Sequence, residues 1–301
     1  MSVYQSFELL AQVSTNQAAQ INLFQAIVIG IVQGLTEFLP ISSTAHVKIV
    51  PVVLGWGDPG VAFTAVIQLG SLAAIVWYFW DDLSTVTRNT VVAAVAKRYQ
   101  SSDFRLGLGI VLGSIPIVLC GLVIKLFFET QYETSVIRST QAIAITSIVM
   151  AILLGIAETV GSRKRNFEML ELWDGIGVGL GQALAQVPGV SRSGSTLTAG
   201  LFLGLERDTA ARFSFLLGTP AILLSGLVEL RGLLEEMSSS GDASLVPLVG
   251  GLIATVISSY LAIAWLIKFL RRHSTWVFVW YRLAFGVVIL IGLATKTIQN
   301  V

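Results

Sequence analysis

Two short polar segments of an otherwise apolar chain contain residue types that could handle phosphate: Glu37, Ser43 and His46 in the first, and Arg192 in the second. Gln33 and Glu37 are four residues apart and therefore share one helical face. Both side chains offer oxygen to hard divalent cations. We interpret Glu37 as a metal ligand or a general base, with Gln33 as a second ligand. The alternative is an interfacial carboxylate that points to water.

The hydroxyls of the first segment could form an anion site. Pro40 is expected to begin a second helix, because its missing N–H costs nothing there, and Ser42, Ser43 and Thr44 follow at once. Hydroxyls and free N–H groups at a helix N-terminus bind anions, whereas capping alone needs only one of them. Ser43 and His46 are three residues apart, close enough on one helical turn for a nucleophile and a base. A structural histidine is the alternative.

The second segment places Arg192 between two serines in a glycine-containing turn. A guanidinium can clamp a phosphate bidentately, and glycine lets the backbone approach the ligand. The alternative is a buried structural bridge between Arg192 and Glu37. Both interpretations bring the two polar segments together. The predicted phosphate-binding set is Ser42, Thr44, Gly189, Ser191, Ser193 and Thr196.

The composition predicts which elements must position these residues. Of the 301 residues, 54% are hydrophobic and 12% are charged, whereas soluble domains carry about 25% charged residues. The solvent is therefore mostly lipid, and the net charge of +1 argues against nucleic-acid binding. The single Cys120 and the two histidines argue against a disulfide within the chain and against a Cys- or His-rich metal site.

Apolar runs of about 20 residues, enough to cross a bilayer, occupy residues 61–80, 106–126, 138–160, 212–230, 246–268 and 277–297. Two further apolar stretches, residues 23–54 and 172–205, are each interrupted near the middle by one of the polar segments. Their halves are too short to span the membrane, so they are predicted to enter, break and return. The sequence thus predicts an all-α integral membrane protein with six full transmembrane helices and two re-entrant helical hairpins.

The loop charges predict an orientation. Lys and Arg are concentrated in residues 81–105, 161–170 and 268–276, which are predicted to be cytoplasmic, whereas two acidic loops should face outward. The two broken segments then have opposite orientations, and residues 30–37 match residues 179–186 without gaps, with Ser42 on Ser191 and Ser43 on Arg192. This pattern predicts an inverted-topology repeat. The expected divisions are an extramembrane arm (1–21), a first repeat (22–160, hairpin 22–55) and a second repeat (161–301, hairpin 171–205).

The segments QGLTEFLPISSTAH (33–46) and PGVSRSGST (188–196) closely resemble the signatures of the BacA-type undecaprenyl pyrophosphate phosphatases, and residues 63–70 and 212–217 are also similar to family segments. The resemblance implies a bacterial plasma-membrane enzyme with an outward-facing site. Such an enzyme removes the terminal phosphate of a polyprenyl pyrophosphate lipid, recycles the carrier for peptidoglycan synthesis and confers bacitracin resistance.

The resemblance also implies residue roles. Glu37 would be a metal ligand or base, Ser43 or His46 would attack, Arg192 would hold the phosphate, and a divalent cation, magnesium or calcium, would assist. The family motif often has Glu where this chain has Gln33, a neutral and weaker ligand. The rival function is a secondary transporter or lipid flippase, because inverted repeats are typical of alternating access. The sequence leaves open whether two copies form a homodimer.

Overall fold

The computed structural model describes residues 21–57, 59–240, 245–298 and 300, and the regular structure of these residues is helical. Short 3₁₀ turns lie at Val136–Arg138, Phe167–Met169 and Leu184–Gln186. The α-helices, in chain order, are α1 (Leu23–Phe38), α2 (Ser43–Val53), α3 (Val61–Tyr78), α4 (Trp80–Val95), α5 (Ser102–Phe127), α6 (Glu129–Glu133), α7 (Thr140–Val160), α8 (Leu172–Ala183), α9 (Arg192–Phe202), α10 (Arg207–Ser240), α11 (Leu245–Leu270) and α12 (Trp276–Ala294).

Five of these helices are long and apolar enough to cross a membrane: α5, α7, α10 as far as Val228, α11 and α12. They agree with five of the six predicted spans and confirm a multi-pass membrane protein. The sixth predicted span corresponds to α3, whose residues 63–78 qualify as a candidate span together with α4, with a bend of 75° between the two helices.

The prediction of a loop over residues 81–105 is wrong for most of its length, because α4 occupies residues 80–95. Asp81 and Asp82 lie in the first turn of α4, where negative side chains stabilise the N-terminus of a helix. The loop charges therefore sit partly on a helix that leaves the end of α3 at a steep angle.

Each of the two interrupted stretches forms two short helices. The first stretch gives α1 and α2, of 16 and 11 residues, and the second gives α8 and α9, of 12 and 11 residues. The expectation that Pro40 begins the second helix is wrong: α2 begins at Ser43, and Pro40 lies in the turn before it. Ser42 has a left-handed backbone (φ 76°), so a helix that began at Pro40 could not continue through it.

Close backbone contacts hold the first helix of each pair against a long span. A Cβ added to Gly30 of α1 would lie 2.3 Å from the Gly251 carbonyl oxygen of α11. In the same way, a Cβ on Gly179 of α8 would lie 2.2 Å from the Gly113 oxygen of α5. Small residues allow this approach between membrane helices. Each short helix is thus seated on a span from the other half of the chain.

A buried ion-pair network joins the basic segments at one end of the molecule. Glu158, near the end of α7, is 4% exposed and accepts hydrogen bonds from the Arg207 side chain and from the backbone and hydroxyl of Thr275. Arg165 pairs with the buried Asp174 at the start of α8, at 2.6 Å. Residues 158–174, 207 and 275 therefore form one polar end, on the side where the sequence predicts the cytoplasm.

Candidate active site

Glu37 is the centre of the polar cluster between the two breaks. It lies in the last turn of α1, is 5% exposed, and accepts four hydrogen bonds. Oε1 receives Arg192 Nη2 at 2.8 Å and Gln68 Nε2 at 3.0 Å. Oε2 receives Ser43 Oγ at 2.7 Å and Gln33 Nε2 at 2.9 Å. A carboxylate inside a membrane protein needs such partners to offset its desolvation, and both oxygens of Glu37 are occupied.

Arg192, the first residue of α9, provides the cationic partner. Its side chain is 11% exposed, and Nη2 is the one guanidinium nitrogen with a hydrogen bond to a described residue. A guanidinium has five N–H donors, so most of them remain for a ligand. The pair joins the first break to the second, as both interpretations of Arg192 required.

Ser43 faces Glu37 rather than His46. As the first residue of α2, it donates its hydroxyl proton to Glu37 at 2.7 Å. Within the described residues no hydrogen bond links Ser43 to His46, because the His46 ring contacts Tyr281 and Phe285 of α12 instead. Spacing of three residues places two side chains on one turn, but it does not fix the direction of either.

His46 is enclosed by α12. Nδ1 lies 2.7 Å from the Ser42 carbonyl oxygen and Nε2 lies 2.7 Å from the Tyr281 hydroxyl. A carbonyl only accepts, so Nδ1 carries a proton, and in the neutral ring Nε2 accepts from the Tyr281 hydroxyl. The ring also stacks on Phe285, with centroids 4.5 Å apart. Both nitrogens are therefore engaged, and the histidine braces the turn that contains Ser42.

The two turns have the same local geometry. Ser42 and Ser191 are the residues before α2 and α9, and both have left-handed backbones, with φ of 76° and 70°. Each hydroxyl caps its helix, accepting from Ala45 N in the first and Gly194 N in the second. Such conformations cost about 1–3 kcal/mol each and collect at functional sites. Both turns aim a helix N-terminus at the Glu37–Arg192 pair.

Arg282 holds both turns in place, and the sequence-based prediction missed it. It is 1% exposed in the middle of α12 and donates only to backbone carbonyls: Pro40 at 3.1 Å, Gly189 at 2.7 Å, Val190 at 3.0 Å and Ser147 at 3.3 Å. An arginine inside an apolar span is itself a signal of function. Gln68 of α3, which contacts Glu37, was also missed, since a neutral residue in a span gives a weaker signal.

A cavity of about 540 Å³ opens onto this cluster. Glu37, Ser43, Gln68 and Arg192 line its inner end, and the predicted binding residues among its walls are Ser42, Thr44, Gly189 and Ser191. Ser193 and Thr196 are not among its lining residues. Their hydroxyls donate to backbone carbonyls instead: Ser193 to Leu39 of the first break at 3.0 Å, and Thr196 to Arg192 within α9 at 2.7 Å. Farther out the walls are mainly apolar side chains of α5 and α10.

The arrangement does not fit a cation held by Glu37 and Gln33. Gln33 turns its N–H toward Glu37, and both Glu37 oxygens already accept from two donors each. A cation requires oxygen lone pairs, usually from several ligands. The described residues contain no group of three or more His, Cys, Asp or Glu side chains that could hold a metal ion. Among the described residues around Gln33 and Ser43, Glu37 is thus the one carboxylate, and it is surrounded by donors.

Comparisons with known proteins give consistent results. A family model described as bacitracin resistance protein BacA matches residues 26–288. An undecaprenyl-diphosphatase from Synechocystis sp. is 62% identical over 273 residues, which cover 91% of this chain and 83% of that protein. One from Nostoc sp. is 61% identical and covers 93% and 87%. One from Synechococcus elongatus is 58% identical and covers 96% and 99%.

Proposed function

The chain belongs to the family of the bacitracin resistance protein BacA, and we propose that it hydrolyses undecaprenyl diphosphate to undecaprenyl phosphate and inorganic phosphate. It is a membrane phosphatase that acts on a diphosphate. The observation that carries this function is the contact of Glu37 with both Ser43 and Arg192 at the inner end of the cavity. An acid–base group, a hydroxyl and a phosphate clamp meet there.

Ser43 is the nucleophile in this proposal. Its Oγ attacks the terminal phosphorus while Glu37, 2.7 Å away, accepts the hydroxyl proton. The bond between phosphorus and the bridging oxygen breaks, and undecaprenyl phosphate leaves with the electron pair. Glu37 passes this proton to the departing phosphate. Water then attacks the phosphoserine and gives a proton to Glu37, which returns it to Ser43 Oγ as the bond between phosphorus and Oγ breaks and inorganic phosphate is released. Splitting one difficult step into two easier ones is the usual gain of covalent catalysis.

The charge that builds up on the transferred phosphoryl group is stabilised from the second break. The Arg192 guanidinium releases the Glu37 carboxylate and binds the phosphate instead. The N–H groups at the start of α2 and α9 add further donors. Arg282 keeps both turns in register through the carbonyls of Pro40 and Gly189. His46 supports the Ser42 turn, and no proton passes through it.

The lipid portion of the substrate remains in the bilayer. Ile117, Val118 and Leu122 of α5 and Ile222, Leu224 and Val228 of α10 line the cavity beyond the polar cluster. These six side chains form an apolar wall that continues from the reacting groups toward the lipid-facing surface. The polyprenyl chain would lie along this wall, so that the diphosphate meets Arg192 while the tail stays in hydrocarbon.

A divalent cation, magnesium or calcium, arrives with the substrate in this proposal. The donors around Glu37 leave no ready place for a resident ion, whereas Mg²⁺ is commonly bound through substrate phosphates. When bound with the substrate, such a cation would neutralise part of the diphosphate charge. The residues of this chain position the complex through Arg192 and the two turns.

The architecture of an inverted-topology repeat with two re-entrant hairpins is part of the proposal. Three observations support it: the matched positions Ser42 and Ser191 share a left-handed backbone, α1 and α8 each pack by glycine on a span of the other half, and both pairs of short helices meet at Glu37 and Arg192. The repeats would comprise residues 22–160 and 161–301, and residues 1–20 of the expected arm 1–21 lie outside the described residues.

The site would face the outer side of the bacterial plasma membrane. The polar end around Glu158 carries the basic segments, which favour the cytoplasm. Away from Glu37, the cavity extends to Lys125, Glu129 and Tyr132, which belong to the predicted outward-facing side. Hydrolysis there returns the lipid carrier to peptidoglycan synthesis and lowers the amount of diphosphate lipid available to bacitracin.

Phosphate release is the direct test. Purified protein in detergent should release inorganic phosphate from undecaprenyl diphosphate with Mg²⁺ or Ca²⁺ present, and Ser43→Ala should not. Lys164→Ala, at the opposite end, is the matched control for purification and folding. Absence of release by the wild-type protein, together with lipid movement in sealed vesicles, would instead support the transporter or flippase.

A further inference from the structure

Gln182 of α8 is buried without a partner. Its side chain is 0% exposed, and neither its amide oxygen nor its amide nitrogen has a hydrogen-bond partner within the part of the chain that the structure describes. An unpaired buried polar group is costly, and native proteins keep few of them. A glutamine retained at such a position suggests a partner that arrives later.

The carboxamide lies beside Arg192. A Cβ added to Gly218 of α10 would lie 1.6 Å from Arg192 Nη1 and 3.5 Å from Gln182 Oε1. The guanidinium therefore packs directly on the Gly218 backbone, and the amide oxygen of Gln182 lies close to the same glycine. Arg192 reaches Glu37 through Nη2, whereas Nη1 lies against Gly218, on the side where Gln182 also approaches this glycine.

The first break contains a corresponding glutamine whose side chain does have a hydrogen-bond partner. Gln33 lies one turn before the break and donates its amide N–H to Glu37 at 2.9 Å. In the ungapped match of the two segments, Gln182 occupies the place of Gln33, and Arg192 occupies that of Ser43. Gln33 thus bonds the carboxylate of the first break, and the equivalent Gln182 lies near the guanidinium of the second break.

We propose that Gln182 is a positioning residue that holds Arg192 when a phosphate displaces Glu37 from the guanidinium. The amide oxygen then accepts from Nη1 and fixes the plane of the guanidinium, so that Nη2 and Nε face the phosphate. The orphaned amide of the unliganded protein is thus satisfied in the liganded one. This role rests on the proposed phosphatase function.

Gln182→Leu tests the role, because leucine has a similar shape and no polar atoms. Removing an unpaired amide should leave the unfolding temperature in detergent unchanged or higher. Inorganic pyrophosphate should bind about tenfold to a hundredfold more weakly, the change expected for a lost hydrogen bond to a charged group. KM for the lipid diphosphate should rise in parallel. Gln182→Met, of equal length, serves the same purpose if leucine does not pack.

Two comparisons separate positioning from packing. Thr275→Val removes a buried hydroxyl that bonds Glu158 at the far end of the molecule, so it should lower the unfolding temperature without affecting pyrophosphate binding. In an Arg192→Lys background, which lacks Nη1, Gln182→Leu should have no further effect, because the two residues act as one unit.

The inference is overturned if Gln182→Leu binds pyrophosphate and lipid diphosphate as the wild type does, or if its effect persists beside Lys at position 192. A wild-type protein that releases no phosphate would refute the proposed function instead. Pyrophosphate binding does not require turnover, so it reports on Gln182 and Arg192 in either case.

Discussion

The guanidinium of Arg192 lies 2.8 Å from the carboxylate of Glu37, although 155 positions separate the two residues in the chain. In the proposed function, the carboxylate occupies the place of the substrate phosphate and keeps the buried guanidinium paired in its absence. A buried cation without a partner would be strongly destabilising. When a phosphate takes this place, Glu37 loses a cationic partner and becomes a better acceptor for the proton of Ser43.

Glu37→Gln should therefore separate binding from catalysis. The amide cannot accept the Ser43 proton, so kcat should fall by roughly a thousandfold or more. It also competes less well for Arg192 and no longer repels the phosphate, so pyrophosphate should bind more tightly than it does to the wild type. Titration calorimetry beside turnover assays measures both. Weaker pyrophosphate binding in this variant would contradict the idea that the Glu37 carboxylate competes with phosphate for Arg192.

The two polar segments could be predicted from the sequence because their charges interrupt apolar runs. Two partners of Glu37 were within reach of the sequence: Arg192 in the bridge alternative, and Gln33 on the same helical face. The contacts of Glu37 with Ser43 and Gln68 were not, since they depend on how α2 and α3 pack against α1. Arg282 shows the limit most clearly. Its type and location gave a signal, but its four acceptors are backbone carbonyls, which any residue has. His46 was paired with Ser43 by spacing, whereas the orientation set by Tyr281 decides its contacts.

Ser43→Ala and His46→Gln should differ in kind. Loss of the nucleophile should lower kcat by roughly 10³-fold or more. His46→Gln should cost much less, about tenfold to a hundredfold, since it loosens the Ser42 turn without removing a reacting group. Rapid quenching with a substrate labelled on its terminal phosphate should trap label on the wild type and on His46→Gln, and none on Ser43→Ala. Label that depends on His46 would identify the histidine as the nucleophile.

Arg282→Lys should keep the charge but lose most of the four carbonyl contacts. Unsatisfied buried carbonyls cost about 1–3 kcal/mol each, so the unfolding temperature should fall, and kcat should fall because both turns lose their register. Arg271→Lys is a matched control: Arg271 is exposed and bonds Asp208 at 3.2 Å. If the two substitutions have equal effects, Arg282 does not position the site.

A cation that arrives with the diphosphate predicts a specific pattern of binding. Mg²⁺ alone should not change the unfolding temperature, whereas Mg²⁺ together with pyrophosphate should raise it above the value for pyrophosphate alone. The Mg²⁺ concentration that saturates the activity should then depend on the substrate concentration. A shift produced by Mg²⁺ alone and abolished by Glu37→Gln would instead place a resident cation between Gln33 and Glu37.

Cysteine accessibility in intact cells tests the orientation of the site. Cys120 is exposed, so it is first replaced by alanine. A cysteine at Thr134, next to α6 and the end of the cavity lined by Glu129, should react with a membrane-impermeant maleimide added outside. A cysteine at Lys164, beside the Glu158 network, should react only after the cells are permeabilised. Both positions are exposed, so a difference reflects sidedness rather than burial. Labelling at position 164 in intact cells, with protection at 134, would reverse the topology and place the site on the cytoplasmic side, where a diphosphate lipid delivered from outside could not reach it.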